Sequence, residues 1–413
     1  MKQAKFTLEK APESREIRTM KADLCVVGGA GHVGLPLAIV FASKGLNVLA
    51  YDINESVFGD IRGGRMPFME EGGDALLQRV LKDGRLTLGS NAAGVADADT
   101  VIITIGTPVD EFMNPDTMKQ CVDGLLPHLS DRQLIVLRST VYAGTTQWLD
   151  KYLRSRGKKP RIAFCPERVV QGHMIDELQK LPQIVSGTTP EAEEAAARLF
   201  ETVAPEIVRL SPLEAEFAKL FNNAYRYIQF AITNQFFMIA NTAGLDYARI
   251  LAGMKKDYPR AADIPGAGFA AGPCLYKDTM QLAASMDSRF TLGNAAVAIN
   301  EGLVWYLVGE MRKKYDLEKM TVGLLGMAFK ANSDDTRASL SYKLKRTLSF
   351  YAKEVLTTDP HVTTDASLKS LDEVIGKSDL LVLCAPHAAY RELDLKGKSV
   401  IDIWGFFGQG ARV

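Results

Sequence analysis

The chain has 413 residues, 47% apolar and 24% charged, which is enough for two or three domains with large cores. Lys plus Arg equals Asp plus Glu at 49 each, so the formal net charge is zero and points to neither a nucleic-acid nor a membrane-surface partner. Five cysteines without a C-x-x-C pair argue against a zinc site or a disulfide framework and fit a reducing cytoplasm.

Residues 1–20 are polar and charged, lack the apolar core of a signal peptide, and read as an extension. No apolar run is long enough to span a bilayer. The strand Leu24–Val27 then leads into Gly28-Gly29-Ala30-Gly31-His32-Val33-Gly34, a helix over 35–44, and a second strand, 48–51, that ends at Asp52. Strand, G-x-G-x-x-G (Gly29, Gly31, Gly34), helix, strand and acid form the dinucleotide pattern. Gly29 is expected to make the tight turn, Gly31 to admit the pyrophosphate, and Gly34 to let helix and strand pack. The helix N-terminus, with His32 and Val33, faces the phosphates. Asp52 is placed to bind a ribose 2′-hydroxyl and to repel a 2′-phosphate, which favours NAD over NADP.

Further apolar strands start at Thr100, Leu134 and Arg161. They run into Gly106-Thr107-Pro108, Arg138-Ser139-Thr140 and Cys165-Pro166-Glu167. Ligands of open parallel sheets sit at the carboxyl ends of strands, so one crevice can gather Thr107, Thr140 and Glu167. Turn and capping chemistry explains each threonine taken alone.

Pro212–Ala243 contains no further proline and no glycine before Gly244, and reads as one long helix. Lys219 and Asn223 are four apart and share a face. They either point into a site or are a solvated lysine and a networked asparagine. Tyr258-Pro259-Arg260 precedes a loop rich in small residues, Ile264–Asp278, that presents Cys274 followed by Lys277 and Asp278. A thiol in such a loop is reachable, and a nearby cation favours thiolate. The competing reading is a packed cysteine before a helix. A helix over 292–308 follows. Strands at 321–325, 355–356, 380–383 and 400–403 mark a second α/β region, in which Lys330 and Arg337 suit a phosphate-bearing ligand.

Together these motifs resemble the nucleotide-sugar 6-dehydrogenases, over about residues 22–405. The marks are the glycine turn, Gly106–Asp110, Ser139-Thr140-Val141, Pro166-Glu167-Arg168, Lys219 with Asn223, Cys274-Leu-x-Lys277-Asp278, and Gly326–Lys330 with Asp334-Asp335-x-Arg337. The resemblance implies two Rossmann-like doubly wound α/β domains joined by a long central helix. The expected divisions are an extension (1–20), an NAD-binding domain (21–204), a helical dimerisation region with the cysteine loop (205–317), and a nucleotide-sugar-binding domain (318–413). It implies a four-electron oxidation of a sugar C6 alcohol to a carboxylate with two NAD.

In that chemistry Cys274 adds to the intermediate aldehyde, and Lys219 with Asn223 stabilises oxyanion charge. Glu167 serves thioester hydrolysis, while Asp278 moves protons with a water near Thr140. The cofactor set is Gly29, Gly31, His32, Val33, Gly34, Asp52, Thr107, Ser139, Thr140 and Lys277. The substrate set is Glu167, Arg168, Lys219, Asn223, Phe269, Lys330, Arg337 and Arg260, the last reaching a neighbouring subunit of a homodimer. No metal is implied.

The loop Gly266–Cys274 is one residue longer than the family pattern and has Ala270 and Ala271 in place of glycines. Arg168 and Gln171 replace the residues of the glucose branch, which turns the expectation toward a UDP-N-acetylhexosamine, with UDP-glucose and dTDP-glucose open. A single-hydride hydroxyacid dehydrogenase and a non-catalytic nucleotide-sugar binder are the alternatives from other classes.

Overall fold

The computed structural model describes residues 21–107, 116–286 and 289–413. The 1–20 extension and Pro108, Val109 and Asp110 of the motif at the end of the third predicted strand lie outside these residues.

The first domain is an eight-stranded sheet among the described residues. Its strands are β1 (Leu24–Val27), β2 (Val48–Tyr51), β3 (Leu86–Gly89), β4 (Thr100–Ile103), β5 (Leu134–Leu137), β6 (Arg161–Phe164), β7 (Gln183–Gly187) and β8 (Ile207–Arg209). The order β3-β2-β1-β4-β5-β6-β7-β8 places the reversal of winding between β1 and β4, the point at which open α/β sheets bind ligands. Strands β1 to β6 are parallel, whereas β7 runs antiparallel to β6. Side chains alternate across β1: Leu24 and Val26 enter the core on one face, Cys25 and Val27 the core on the other. Helix α1 (Gly34–Ser43) is buried almost throughout, which explains its near-continuous apolar sequence.

Chain and sheet then give way to helices. Helix α2 (Thr145–Ser155) lies in the first domain. Helix α3 (Pro212–Thr242) is 31 residues long, about 45 Å at the usual rise. A capping box between Ser211 and Glu214, with Pro212 in the first turn, starts it, and Gly244 at φ +72° ends it. Helices α4 (Tyr247–Lys255), α5 (Leu275–Ser285) and α6 (Thr291–Lys314) follow, and α5 and α6 pack along α3. The second α/β domain has strands β9 (Thr321–Leu325), β10 (Glu354–Thr358), β11 (Leu380–Leu383) and β12 (Ser399–Ile401), all parallel in the order β10-β9-β11-β12. The architecture is two Rossmann-like doubly wound domains joined by a long central helix. Among the described residues no helix is long and apolar enough to cross a membrane.

Helix α3 is tied to the first domain by a buried carboxylate. Glu216 is 1% exposed and accepts from Gly144 N (2.6 Å), Thr146 N (2.8 Å) and Thr146 Oγ1 (2.6 Å), so it caps the start of α2. Burial raises its pKa above the ordinary range, and these donors limit the rise. Glu216→Ala would leave buried N–H groups unpaired and is expected to cost about 2–4 kcal/mol, measured by urea unfolding.

Candidate active site

The glycine turn opens the cofactor crevice. The residue with positive φ is Gly28 (+80°), one position ahead of the glycine expected to make the turn, and its N–H and that of Gly29 both donate to Tyr51 O at 2.9 Å. Gly29 instead provides the close approach to β2, where a Cβ would lie 2.7 Å from Ala50 Cα. A Cβ on Gly34 would come within 2.1 Å of Gly28 O, so helix and turn meet there only because the side chain is missing. Asp52 ends β2; its Oδ2 accepts from Ala30 N (3.1 Å) and its Oδ1 from Asn54 N (3.0 Å). A Cβ on Gly31 would meet only Gly28 O, at 3.3 Å, so the outer side of the turn is open to a pyrophosphate. The open turn, the α1 N-terminus and the acid at the end of β2 fit NAD. Val33 precedes α1, and the His32 ring stacks on Phe68 at 4.2 Å.

The ends of β4 and β5 are stitched together. Ser139 Oγ donates to Ile105 O (2.7 Å) and Thr107 Oγ1 to Thr140 O (2.6 Å). Lys277 Nζ, from α5, donates to Thr107 Oγ1 at 3.0 Å and lies 3.3 Å from Asp278 Oδ1. The cysteine helix is thereby latched onto the cofactor domain.

Helix α3 supplies the next pair. Lys219 Nζ is 2.7 Å from Glu167 Oε1, with side chains only 4% and 13% exposed. One turn on, Asn223 Nδ2 donates to Asp278 Oδ2, on a side chain that is fully buried. Burial pushes the Glu167 carboxyl up, but Lys219 and then Arg138 override it, so its pKa lies below the usual range. Burial likewise pulls Lys219 down, but Glu167 and Asp278 more than compensate, and its pKa is raised. The pair is therefore ionised across the neutral range.

Cys274 caps the start of α5 and is the exposed one of the five cysteines. The expectation of a favoured thiolate is corrected here. Desolvation by the surrounding protein, then the charges of Asp278 and Glu167, outweigh Lys219 and Lys277, and the thiol pKa is raised. At rest Cys274 is a thiol, and its proton has to be taken as it reacts.

Several predicted substrate residues occupy less direct positions. The Phe269 side chain is 6% exposed and packs in the core beneath the second domain, so only its backbone can face a ligand. The Arg168 guanidinium donates to Pro182 O, and Lys330 Nζ donates to Gln171 O across the two domains. Arg337 forms a fork with Asp335 (3.0 and 2.6 Å), and its charge lowers the pKa of His32 after burial does. Arg260 is exposed, with its Nε on Tyr258 Oη at 2.8 Å and its guanidinium over that ring.

Sequence reasoning missed Arg138. It is 1% exposed and donates to Cys165 O and Gln183 Oε1, both at 3.0 Å. Burial lowers its pKa to about 10, and the charge of Glu167 opposes the fall. The available signal was a lone cation directly after an all-apolar strand. Among the described residues no cluster of ligating side chains could hold a metal.

Three models of one family cover most of the chain: the NAD binding domain over 22–204, the central domain over 213–302 and the UDP binding domain over 323–409 of the UDP-glucose/GDP-mannose dehydrogenase family. The UDP-N-acetyl-D-mannosamine dehydrogenase of Methanocaldococcus jannaschii is 30% identical over 384 residues, 90% of this chain and 87% of that protein. The chain belongs to the UDP-glucose/GDP-mannose dehydrogenase family. It is an oxidoreductase of that family, and NAD is its cofactor. Two family structures superpose with TM-score 0.84: a UDP-D-ManNAc dehydrogenase of Pyrococcus horikoshii (27% identity, 91% of this chain and 93% of that one) and a UDP-glucose dehydrogenase of Pyrobaculum islandicum (25%, 95% and 96%).

The raised thiol pKa has a direct readout. Iodoacetamide alkylation of Cys274 is expected to titrate above pH 9.0, and Asp278→Asn to move the midpoint down. A midpoint below neutrality would contradict the charge balance described above.

Proposed function

We propose that the chain oxidises the C6 hydroxymethyl of a nucleotide-diphospho-sugar to the uronic acid through a covalent intermediate on Cys274. The observation that carries this is the exposed thiol at the start of α5, flanked by the Lys219–Glu167 and Asn223–Asp278 pairs. Two NAD molecules, bound one after the other, would each take up one hydride. The C6 hydroxyl passes its proton through a water to Asp278 as Lys219 holds the resulting alkoxide, and Asn223 donates to the same oxygen. Cys274 gives its proton to the carboxylate–ammonium cluster as sulfur adds to the aldehyde carbon, and the adduct oxygen is held by Lys219. Addition makes the aldehyde carbon tetrahedral, with an oxyanion beside its remaining hydrogen, so that hydrogen can leave as the second hydride and a thioester remains. Glu167, ionised by Lys219 and Arg138, then takes a proton from water as it attacks the acyl carbon, and the thiol leaves protonated.

A UDP-N-acetylhexosamine is the substrate we favour. The UDP-N-acetyl-D-mannosamine dehydrogenase relative and structure support it, as does the replacement of the glucose-branch residues by Arg168 and Gln171. UDP-glucose is the second reading, because the Pyrobaculum islandicum enzyme superposes equally well.

The active form is proposed to be a homodimer built on α3. Phe221, Tyr225, Ile232, Phe236 and Ile239 are 40–63% exposed and lie on one face, opposite Glu216, Lys219 and Asn223. A stripe of this kind on a single chain calls for a covering surface, and a second copy supplies one of matching character. That arrangement gives the exposed Arg260 a partner site to reach.

Turnover with UDP-N-acetylmannosamine, UDP-N-acetylglucosamine and UDP-glucose is expected to release two NADH per sugar for the true substrate. Cys274→Ser should bind the same sugar yet form no acid. One NADH per sugar, or acid from the serine variant, would sink the covalent route. For the dimer, Phe236→Lys combined with Ile239→Glu is expected to shift sedimentation to the monomer and to lower activity at least tenfold, about the effect of removing a positioning group.

A further inference from the structure

Helix α3 carries a buried amide in line with Glu216, Lys219 and Asn223, and neither the motifs nor the chemistry above uses it. Asn234 is fully buried, between the apolar residues Phe230-Ala231-Ile232 and Phe236-Phe237 of the same helix. A buried amide is costly unless paired, and this one is paired completely. Gly268 N donates to Asn234 Oδ1 at 2.9 Å, and Asn234 Nδ2 donates back to Gly268 O at 3.0 Å. The second Nδ2 hydrogen goes to Asn300 Oδ1 on α6 (2.9 Å), and Asn300 Nδ2 donates to Tyr227 O (3.0 Å). The backbone dictates the orientation. A flipped Asn234 amide would set its N–H₂ against Gly268 N–H and its oxygen against Gly268 O.

The glycine it holds belongs to the loop that presents Cys274. Gly268 has φ +151°, and a Cβ there would lie 2.2 Å from the Trp404 ring. The loop is gripped between the Asn234 amide and the Trp404 ring. A second grip follows at Gly272, with φ +103°, its N–H on Ala338 O at 3.3 Å and the Phe329 ring where a Cβ would be. Phe269 and Ala270, between the grips, are buried. Cys274 comes two residues after the second.

We propose that Asn234 is a positioning residue: by holding both backbone groups of Gly268 it sets the loop conformation that seats the sugar and aims Cys274. The proposal rests on the reading of Cys274 given above. Asn300 fixes the rotation of the amide and is the second member of the device.

The test uses the full-length enzyme. Asn234→Ala and Asn300→Ala are compared with wild type for KM of the nucleotide sugar, KM of NAD, kcat, and iodoacetamide alkylation of Cys274 without substrates. Asn234→Ala is expected to raise the sugar KM about tenfold or more and to change the alkylation rate, while the KM for NAD stays within about twofold. Asn300→Ala should show a smaller shift in the same direction. Unchanged sugar KM and alkylation, with only a lower Tm, would reduce Asn234 to a structural residue and overturn the proposal. Hydrogen exchange at the Gly268 amide of the wild-type chain needs no variant. Protection comparable to α3 is expected, and free exchange would overturn the clamp even if the variants fail to fold. Alkylation and exchange report on the loop whether or not any sugar is turned over, so a failure of the proposed reaction is separable from a failure of the clamp.

Discussion

The buried ion pair between Lys219 and Glu167 is the constraint around which the site is arranged. Two charges out of water stabilise little unless their remaining hydrogen-bonding capacity is met, and removing one partner strands the other. The pair therefore fixes the distance between the last parallel strand, which ends before Glu167, and the long helix. With Arg138 below and Asp278 beside, the cluster sets two cations against two carboxylates in one low-dielectric pocket. Burial first, and then the charges of Asp278 and Glu167, keep Cys274 protonated at rest. A free thiolate at the mouth of a cleft would be open to oxidation and alkylation before any substrate arrived. Raising its pKa confines nucleophilicity to the moment when a carbonyl carbon and an oxyanion site are both present.

The long helix does the positioning by simple periodicity. Glu216, Lys219, Asn223 and Asn234 recur on one side of α3, and each holds a different piece of chain: the start of α2, the end of β6, the acid of α5 and the loop glycine. The opposite side carries the exposed apolar stripe. The second domain closes against this frame through Lys330 on Gln171 O and Asp334 on Met69 N (3.0 Å), and through Phe329 and Trp404, which brace the cysteine loop.

Much of this was legible before any coordinates. The glycine turn, the alternating strands and the uninterrupted helix carry strong local signals, because burial on both faces makes strands such as Leu134–Leu137 continuously apolar. The four-residue spacing of Lys219 and Asn223 placed both on one face. What escaped had non-local causes. The reversal of β7 depends on its pairing with β6; β3, Leu-Thr-Leu-Gly with only Leu86 buried, carries no apolar run, and β8 is only three residues long. The role of Gly28 as the turn residue depends on how the turn meets Tyr51 O. Cys274 next to Lys277 suggested thiolate, but what decides otherwise, its burial and then the charges of Asp278 and Glu167, is supplied only by the fold. Phe269 read as a ligand contact because it sits in the loop, yet the loop's path buries it.

An α-helix is a ruler without slack, and that has a consequence for how this chain can vary. One residue inserted between Glu216 and Asn234 would turn everything beyond it by about 100° and advance it by about 1.5 Å. Depending on where it fell, Asn223 would leave Asp278, Asn234 would leave Gly268, and the apolar stripe would be split between two faces. Length change is tolerable in the connections around the sheet edge, where no such alignment is at stake. Over this stretch of α3 substitution is available to the chain, but insertion and deletion are not.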